Sequence, residues 1–165
     1  MLRRTTLSRE EALQKARHYC GYQFRCHQEV KEKLYSFGLR RQDVDIALAT
    51  LVEEDYLNEE RFAVQFAGGH FRLKQWGKVK IRYELKQRQV SDYCIKKALA
   101  AIEEDDYLKT LNRLATTKWE TLKDETAFAR RGKLQEYLAR KGYEQDRVSA
   151  VIKNLPQAAG DRDKL

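Results

Sequence analysis

The stretch Ile81-Arg82-Tyr83-Glu84-Leu85, continuing through Val90, Ile95, Ala98-Leu99, Ile102 and Asp106-Tyr107-Leu108, copies an earlier stretch of the same chain. Val30, Leu34, Leu39, Val44, Ala47, Leu48, Leu51, Asp55, Tyr56 and Leu57 match Ile81, Leu85, Val90, Ile95, Ala98, Leu99, Ile102, Asp106, Tyr107 and Leu108. The spacing is 51 residues throughout, without a gap. After a two-residue insertion a third copy follows. Leu134, Leu138, Gly142, Tyr143, Val148, Ile152 and Leu155 lie 53 positions beyond the second set. A period of this length marks similar units stacked in series. Such arrays serve more often as surfaces for partners than as pockets for reactions.

Each copy reads as three helices. Ser8 with Glu11 three residues on forms a capping box, and Ala12, Leu13, Ala16 and Tyr19 follow at helical spacing. A second helix carries Val30, Leu34 and Phe37 and stops at Gly38, a natural C′ residue. A third carries Val44, Ala47, Leu48 and Leu51. Asn58 caps the next helix, with Leu57 stapling onto Phe62, and Phe66 and Phe71 further along. One device recurs in all three copies. Leu39 with Val44, Val90 with Ile95 and Tyr143 with Val148 each have the spacing of a hydrophobic staple at a helix start. The third copy opens with Leu108, Leu111, Leu114 and Trp119, and Gly142 takes the place of Gly38. The expected architecture is all-α: three tandem three-helix repeats in an elongated, curved array. The expected divisions are 1–57, 58–108 and 109–155, with a flexible tail over 156–165.

Composition agrees. Eight glycines and one proline in 165 residues leave little room for a turn-rich β fold. Charged residues at 35% against 42% hydrophobic ones describe a highly charged but globular chain. A net charge of +8 points to a polyanionic partner, nucleic acid or an assembly that carries it. Cys20, Cys26 and Cys94 fit no disulfide scaffold, so reduced thiols in a cytoplasm are expected. The segment Met1 to Ser8 lacks the apolar core of a signal peptide. No run is long enough to span a membrane.

The most charge-biased stretch is 70–90. Arg72, Lys74, Lys78, Lys80, Arg82, Lys86 and Arg88 face a single acid, Glu84, with Trp76 and Tyr83 among them. On a helix, Lys78, Arg82 and Lys86 are four apart and form one stripe, while Ile81 and Leu85 form another that faces the core. A one-signed stripe suits phosphates or an acidic protein groove. Arg130, Arg131, Lys133, Arg140 and Lys141 form a secondary basic group, diluted by Glu136. The acidic junctions Glu53-Glu54-Asp55 and Glu103-Glu104-Asp105-Asp106 could hold Mg²⁺. A structural role near helix N-termini is the simpler reading. His18, Cys20, Cys26 and His27 match no common zinc spacing, so no metal or cofactor is expected. There is no G-x-S-x-G, P-loop, G-x-G-x-x-G or H-E-x-x-H pattern, so an enzyme is not expected. Gly68-Gly69 interrupt a helical pattern and suggest a break, a kink or a close approach.

The central run is the most specific: Tyr56-Leu57-Asn58-Glu59-Glu60-Arg61-Phe62-Ala63, then Trp76-Gly77-Lys78, Ile81, Glu84-Leu85, Arg88 and Ala98-Leu99. It resembles the RecX family of bacterial regulators of RecA, across nearly the whole chain. The chain departs from the family pattern at Gly68-Gly69-His70, where a basic step is usual, at Gln89, where glycine is usual, and at Asn58-Glu59, where aspartates are frequent. The resemblance implies three tandem three-helix repeats. It also implies a protein that lies in the groove of the RecA filament on single-stranded DNA and suppresses RecA's ATPase, strand-exchange and coprotease activities. Arg72, Lys74, Trp76, Lys78, Lys80, Arg82, Lys86 and Arg88 would then face the filament or its DNA. A monomer is expected. The competing expectation is a sequence-nonspecific binder of single- or double-stranded DNA built from helix-turn-helix-like modules.

Overall fold

The computed structural model describes residues 6–156, and all but the first residue of the tail expected over 156–165 lies outside them. Among the described residues there are nine helices and no strand. These are α1 (Arg9–Tyr22), α2 (His27–Ser36), α3 (Arg41–Glu53), α4 (Glu59–Lys74), α5 (Lys78–Gln87), α6 (Asp92–Ala100), α7 (Glu104–Thr121), α8 (Ala127–Lys141) and α9 (Gln145–Asn154). The all-α tandem of three-helix units is thus the observed architecture.

The helix starts follow from local chemistry. The Ser8 hydroxyl accepts from the Glu11 N–H, Asn58 Oδ1 from the Arg61 N–H at 2.8 Å, and the Thr126 hydroxyl from the Ala129 N–H. Each satisfies an otherwise orphaned first-turn donor. All three recurrent staples sit at N′ and N4 of α3, α6 and α9, and all six residues are buried. The turn after the middle helix of each triplet also recurs. Gly38 (φ 87°), Gln89 (φ 59°) and Gly142 (φ 98°) all adopt the left-handed conformation. The middle triplet makes this turn without glycine, at a steric cost of roughly 1–2 kcal/mol.

The chain divides into two compact units. Among the described residues, one comprises 6–66 together with Glu84–Ala98, the other Ala67–Tyr83 together with 99–156. Each helix of the central triplet contributes to both. In the first unit, Ala12, Leu13, Ala16 and Cys20 of α1 meet Val30, Leu34, Val44, Ala47 and Leu51, closed by Leu39 and Leu57. A bidentate pair, Arg17 to Glu54 at 2.7 Å for both bonds, ties α1 to the end of α3 and holds the Glu54 carboxyl below its usual range. In the second unit, Tyr107, Leu111, Ala115 and Trp119 of α7 pack in a core that includes Leu134 and Leu138 of α8 and Val148 and Val151 of α9.

Two expectations change. Helix α4 runs unbroken through Gly68-Gly69. Gly68 makes the close approach instead, since a Cβ there would lie 2.8 Å from Arg72 Nη1. Helix α7 opens at Glu104, ahead of the division expected at 108/109. Tyr107 therefore takes the core position of α7, and Leu108 is exposed. The acidic residues serve the fold. Glu54 and Asp55 pair with Arg17 and Arg61, and Glu104 pairs with Arg147 and Lys78. Cys20, Cys26 and Cys94 are free and buried, and burial pushes each thiol above its usual range. No helix among the described residues is long and apolar enough to cross a membrane.

Candidate interaction surface

In the second unit, residues 67–83 contain five lysines and arginines and no carboxylate. They form the last turns of α4, a three-residue connection and the first turns of α5. Ala67 and Phe71 anchor the end of α4 by burial. Gln75 then turns in the left-handed region (φ 56°), and its carbonyl accepts from the Tyr143 hydroxyl at 2.9 Å. Lys141 Nζ donates to the Lys74 carbonyl at 3.2 Å.

Gly77 explains the Trp76-Gly77-Lys78 sequence physically. Its N–H donates to the Lys141 carbonyl at 2.8 Å, and the Val79 N–H donates to the Gly142 carbonyl at 2.9 Å. A Cβ on Gly77 would stand 2.3 Å from Gly142 C and O. A Cβ on Gly142 would stand 2.2 Å from Lys80 Cβ. Two backbones cross with no room for a side chain on either. Beneath the crossing lies Tyr107, fully buried. Its hydroxyl accepts from the Lys78 N–H at 3.0 Å and donates to Glu144. Its ring lies 5.8 Å from Phe71 and 5.2 Å from Tyr143. Burial, then the Glu144 carboxylate, pushes the Tyr107 hydroxyl well above the usual phenol range; burial does the same to Tyr143.

The cations predicted to face a partner have different local environments. Lys78 spans the Tyr107 ring at 4.8 Å and pairs with Glu104 at 3.9 Å. Lys74 and Lys80 bracket the half-buried Trp76 ring at 5.2 and 4.7 Å, and His70 stacks on that ring at 4.5 Å. Arg72, Lys74 and Arg82 are exposed. In the first unit, Lys86 is exposed and pairs loosely with Asp92 at 3.8 Å. Arg88 pairs with Glu84 at 3.0 Å and lies over Phe66 at 4.7 Å.

Along the stripe read from Lys78, Arg82 and Lys86, exposure is uneven: Lys78 is half-buried, and Arg82 and Lys86 are exposed. Lys78 is held at the core edge by Tyr107 and Glu104, and Lys86 stands in solvent. Val79 and Tyr83, with Tyr83 60% exposed, hold the outward face, and Leu73 is 84% exposed beside Lys74. Charge alone does not mark these apolar members in the sequence. Two adjoining cations around an exposed leucine, in a window with no acid, are the signal that could have found Leu73.

The secondary basic group also changes. Arg130 is buried, at 8% exposure. It donates twice to the Trp119 carbonyl at 3.0 and 2.7 Å and stacks on the Trp119 ring at 3.8 Å. Its role is in the α7–α8 packing. Lys133 pairs with Glu125 and Arg140 with Glu136. Lys141 is committed to the Lys74 carbonyl. Arg131 is exposed.

Comparison with known proteins adds the following. The family model described as RecX, second three-helix domain, matches residues 58–99, and that described as RecX, third three-helix domain, matches 104–152. The regulatory protein RecX of Prosthecochloris aestuarii is 30% identical over 145 residues, covering 88% of this chain and 93% of the relative. That of Thermotoga petrophila is 28% identical, covering 93% and 89%. Against the regulatory protein RecX of Clostridium perfringens strain 13, 28% identical, the chain spans 62% of the relative's length. The crystal structure of RecX from Lactobacillus salivarius superposes with a TM-score of 0.82 at 20% identity, covering 89% of this chain and 96% of that one. This last likeness bears on the fold alone.

Proposed function

The chain belongs to the RecX family, and from that membership we propose that it is a regulator that binds the RecA filament on single-stranded DNA. In this reading it suppresses RecA's ATPase, strand-exchange and coprotease activities by occupying the filament, with no reaction of its own. The observation that carries the reading is the acid-free window 67–83. It offers Arg72, Lys74 and Arg82 in solvent, with Leu73, Val79 and Tyr83 exposed beside them and Trp76 bracketed by two lysines. Charge of one sign steers association, and apolar and aromatic groups hold the bound state. Lys78 and Arg88 act mainly through the fold, because their charges are already partnered.

The test is RecA's ATPase on single-stranded DNA. Stoichiometric protein should suppress hydrolysis. Undiminished hydrolysis at stoichiometric amounts overturns the proposal.

A further inference from the structure

The first unit carries a cationic groove outside the surface assigned to RecA. The end of α1, the connection to α2 and the C-terminal half of α2 enclose an open volume of about 600 Å³, the size of a ligand-binding cleft. Lys15, Tyr19, Tyr22, Arg25, Lys33 and Phe37 line it, and no carboxylate is among its lining residues. Its floor is apolar. Tyr19 and Phe37 are half-buried and pack against the core of the first unit. The cations stand over this floor. Lys33 Nζ lies 5.3 Å from the Tyr19 centroid and 5.7 Å from that of Phe37. Lys15 Nζ lies 5.9 Å from Phe37, and the Arg25 guanidinium lies 3.8 Å from Tyr19. Arg25 pairs loosely with Glu29 at 3.8 Å. Lys15 and Lys33 are exposed, with no carboxylate in the groove to pair with. Tyr22 stands at the end of α1 with 80% of its surface in water.

We propose that this groove docks an acidic peptide segment of a partner protein, one that carries a bulky apolar side chain among its carboxylates. The charge complementarity is direct: two lysines without carboxylate partners flank an apolar floor, so charge and apolar area wait to be covered together. Carboxylates take the ammonium ends of Lys15 and Lys33. The apolar side chain lies along Phe37, the lysine stems and the Tyr22 ring. A nucleic-acid strand fits the floor less well. The chain's own cations already stand over Tyr19 and Phe37, the rings on which a base would stack. This inference does not rest on the RecA reading. The two can fail separately, because one is read in peptide binding without RecA and the other in RecA's ATPase.

The experiment titrates a fluorescein-labelled peptide of about eight residues, alternating aspartate and leucine, with the full chain by anisotropy. Saturable binding with a Kd of about 100 μM or below is expected, and no saturation by about 1 mM would overturn the proposal. Lys15, Tyr22 and Lys33 are exposed, so their substitution leaves the core intact. K15E/K33E should weaken binding by about tenfold or more. It should also bind the matching lysine–leucine peptide better than the parent does, a gain that a merely damaged fold would not give. Y22A should weaken binding about fivefold through lost apolar contact. K123E/K153E, two exposed lysines of the second unit with the same change in net charge, should cost less than about threefold, because distant surface charges are screened. Equal losses in the two double variants would overturn the site, leaving net charge alone. A peptide of aspartate alone that binds as tightly would overturn the apolar half of the recognition. Equally effective displacement by oligo(dT) at matched charge would overturn the peptide in favour of nucleic acid. In the parent chain, amide NMR shifts on adding the peptide should centre on residues 15–22 and 25–37. Shifts centred on 67–83 would overturn this site even where the peptide binds.

Discussion

Replacing Gly77 by alanine tests the backbone crossing that seats the candidate surface. The added Cβ would meet Gly142 C and O at 2.3 Å and Tyr143 N at 2.5 Å, all of them main-chain atoms that no rotamer change can move. Relief requires the backbones to part. That breaks the bonds from the Gly77 N–H to Lys141 and from the Val79 N–H to Gly142. Two hydrogen bonds at about 1 kcal/mol each, with about 1–3 kcal/mol for overpacking, give a loss of about 3–5 kcal/mol. For a chain of this size that lowers Tm by roughly 10 °C, read by circular dichroism or calorimetry. Gly132→Ala is the internal control. Gly132 lies inside α8 with open space where its Cβ would stand, so alanine there should stabilise by up to about 1 kcal/mol. A Gly77→Ala melting point within 2 °C of the parent would refute the reasoning.

Three further outcomes follow from the same physics. Gln89→Gly should raise the urea midpoint modestly. Relief of the left-handed turn at φ 59°, about 1–2 kcal/mol, exceeds the entropy cost of glycine, about 0.4–1 kcal/mol; a lowered midpoint contradicts this. Arg130→Met should lower Tm through loss of the charge-assisted bonds to Trp119, about 1.5–3 kcal/mol, while the folded variant still inhibits RecA; unchanged stability would return Arg130 to the surface. Above pH 10 the sign is set by the tyrosines. Tyr107 and Tyr143 titrate higher folded than unfolded, so the stability they give is complete below pH 10 and is lost as pH rises beyond it, by about 1.4 kcal/mol per pH unit for each. The Tyr107→Phe/Tyr143→Phe variant should show a shallower alkaline decline in denaturant melts, and a parallel decline would refute the assignment.

The parts legible in the sequence were those governed by neighbours in the chain. Staples, caps and the turns at Gly38 and Gly142 depend on residues within a few positions, and each stands where its chemistry places it. The repeat also carried the core positions of the middle and third helices, because Leu34, Leu85 and Leu138 are equivalent in sequence and equally buried. What the sequence concealed depends on distant groups. Nothing near Gly77 announces that Gly142 will cross it. Nothing near Arg130 announces that the Trp119 carbonyl and ring will bury it. The match of Tyr56-Leu57 with Tyr107-Leu108 misled because α7 begins nearly two turns earlier in the repeat than α4, which puts Tyr107 inside and Leu108 outside. The basic stretch was legible by charge, but its division into exposed and partnered cations needed the helix phase and the positions of Glu104, Glu84 and Trp76.

The most direct measurement is RecA's single-strand-dependent ATPase titrated with the parent chain and with R72E/K74E/R82E, whose three side chains are exposed and whose melting point should stay within about 2 °C of the parent. The parent should suppress hydrolysis near stoichiometry, and the reversed variant should need at least ten times more protein. Suppression by the variant at the parent's concentration would contradict the assignment of this surface, and hydrolysis untouched by the parent would contradict the function itself.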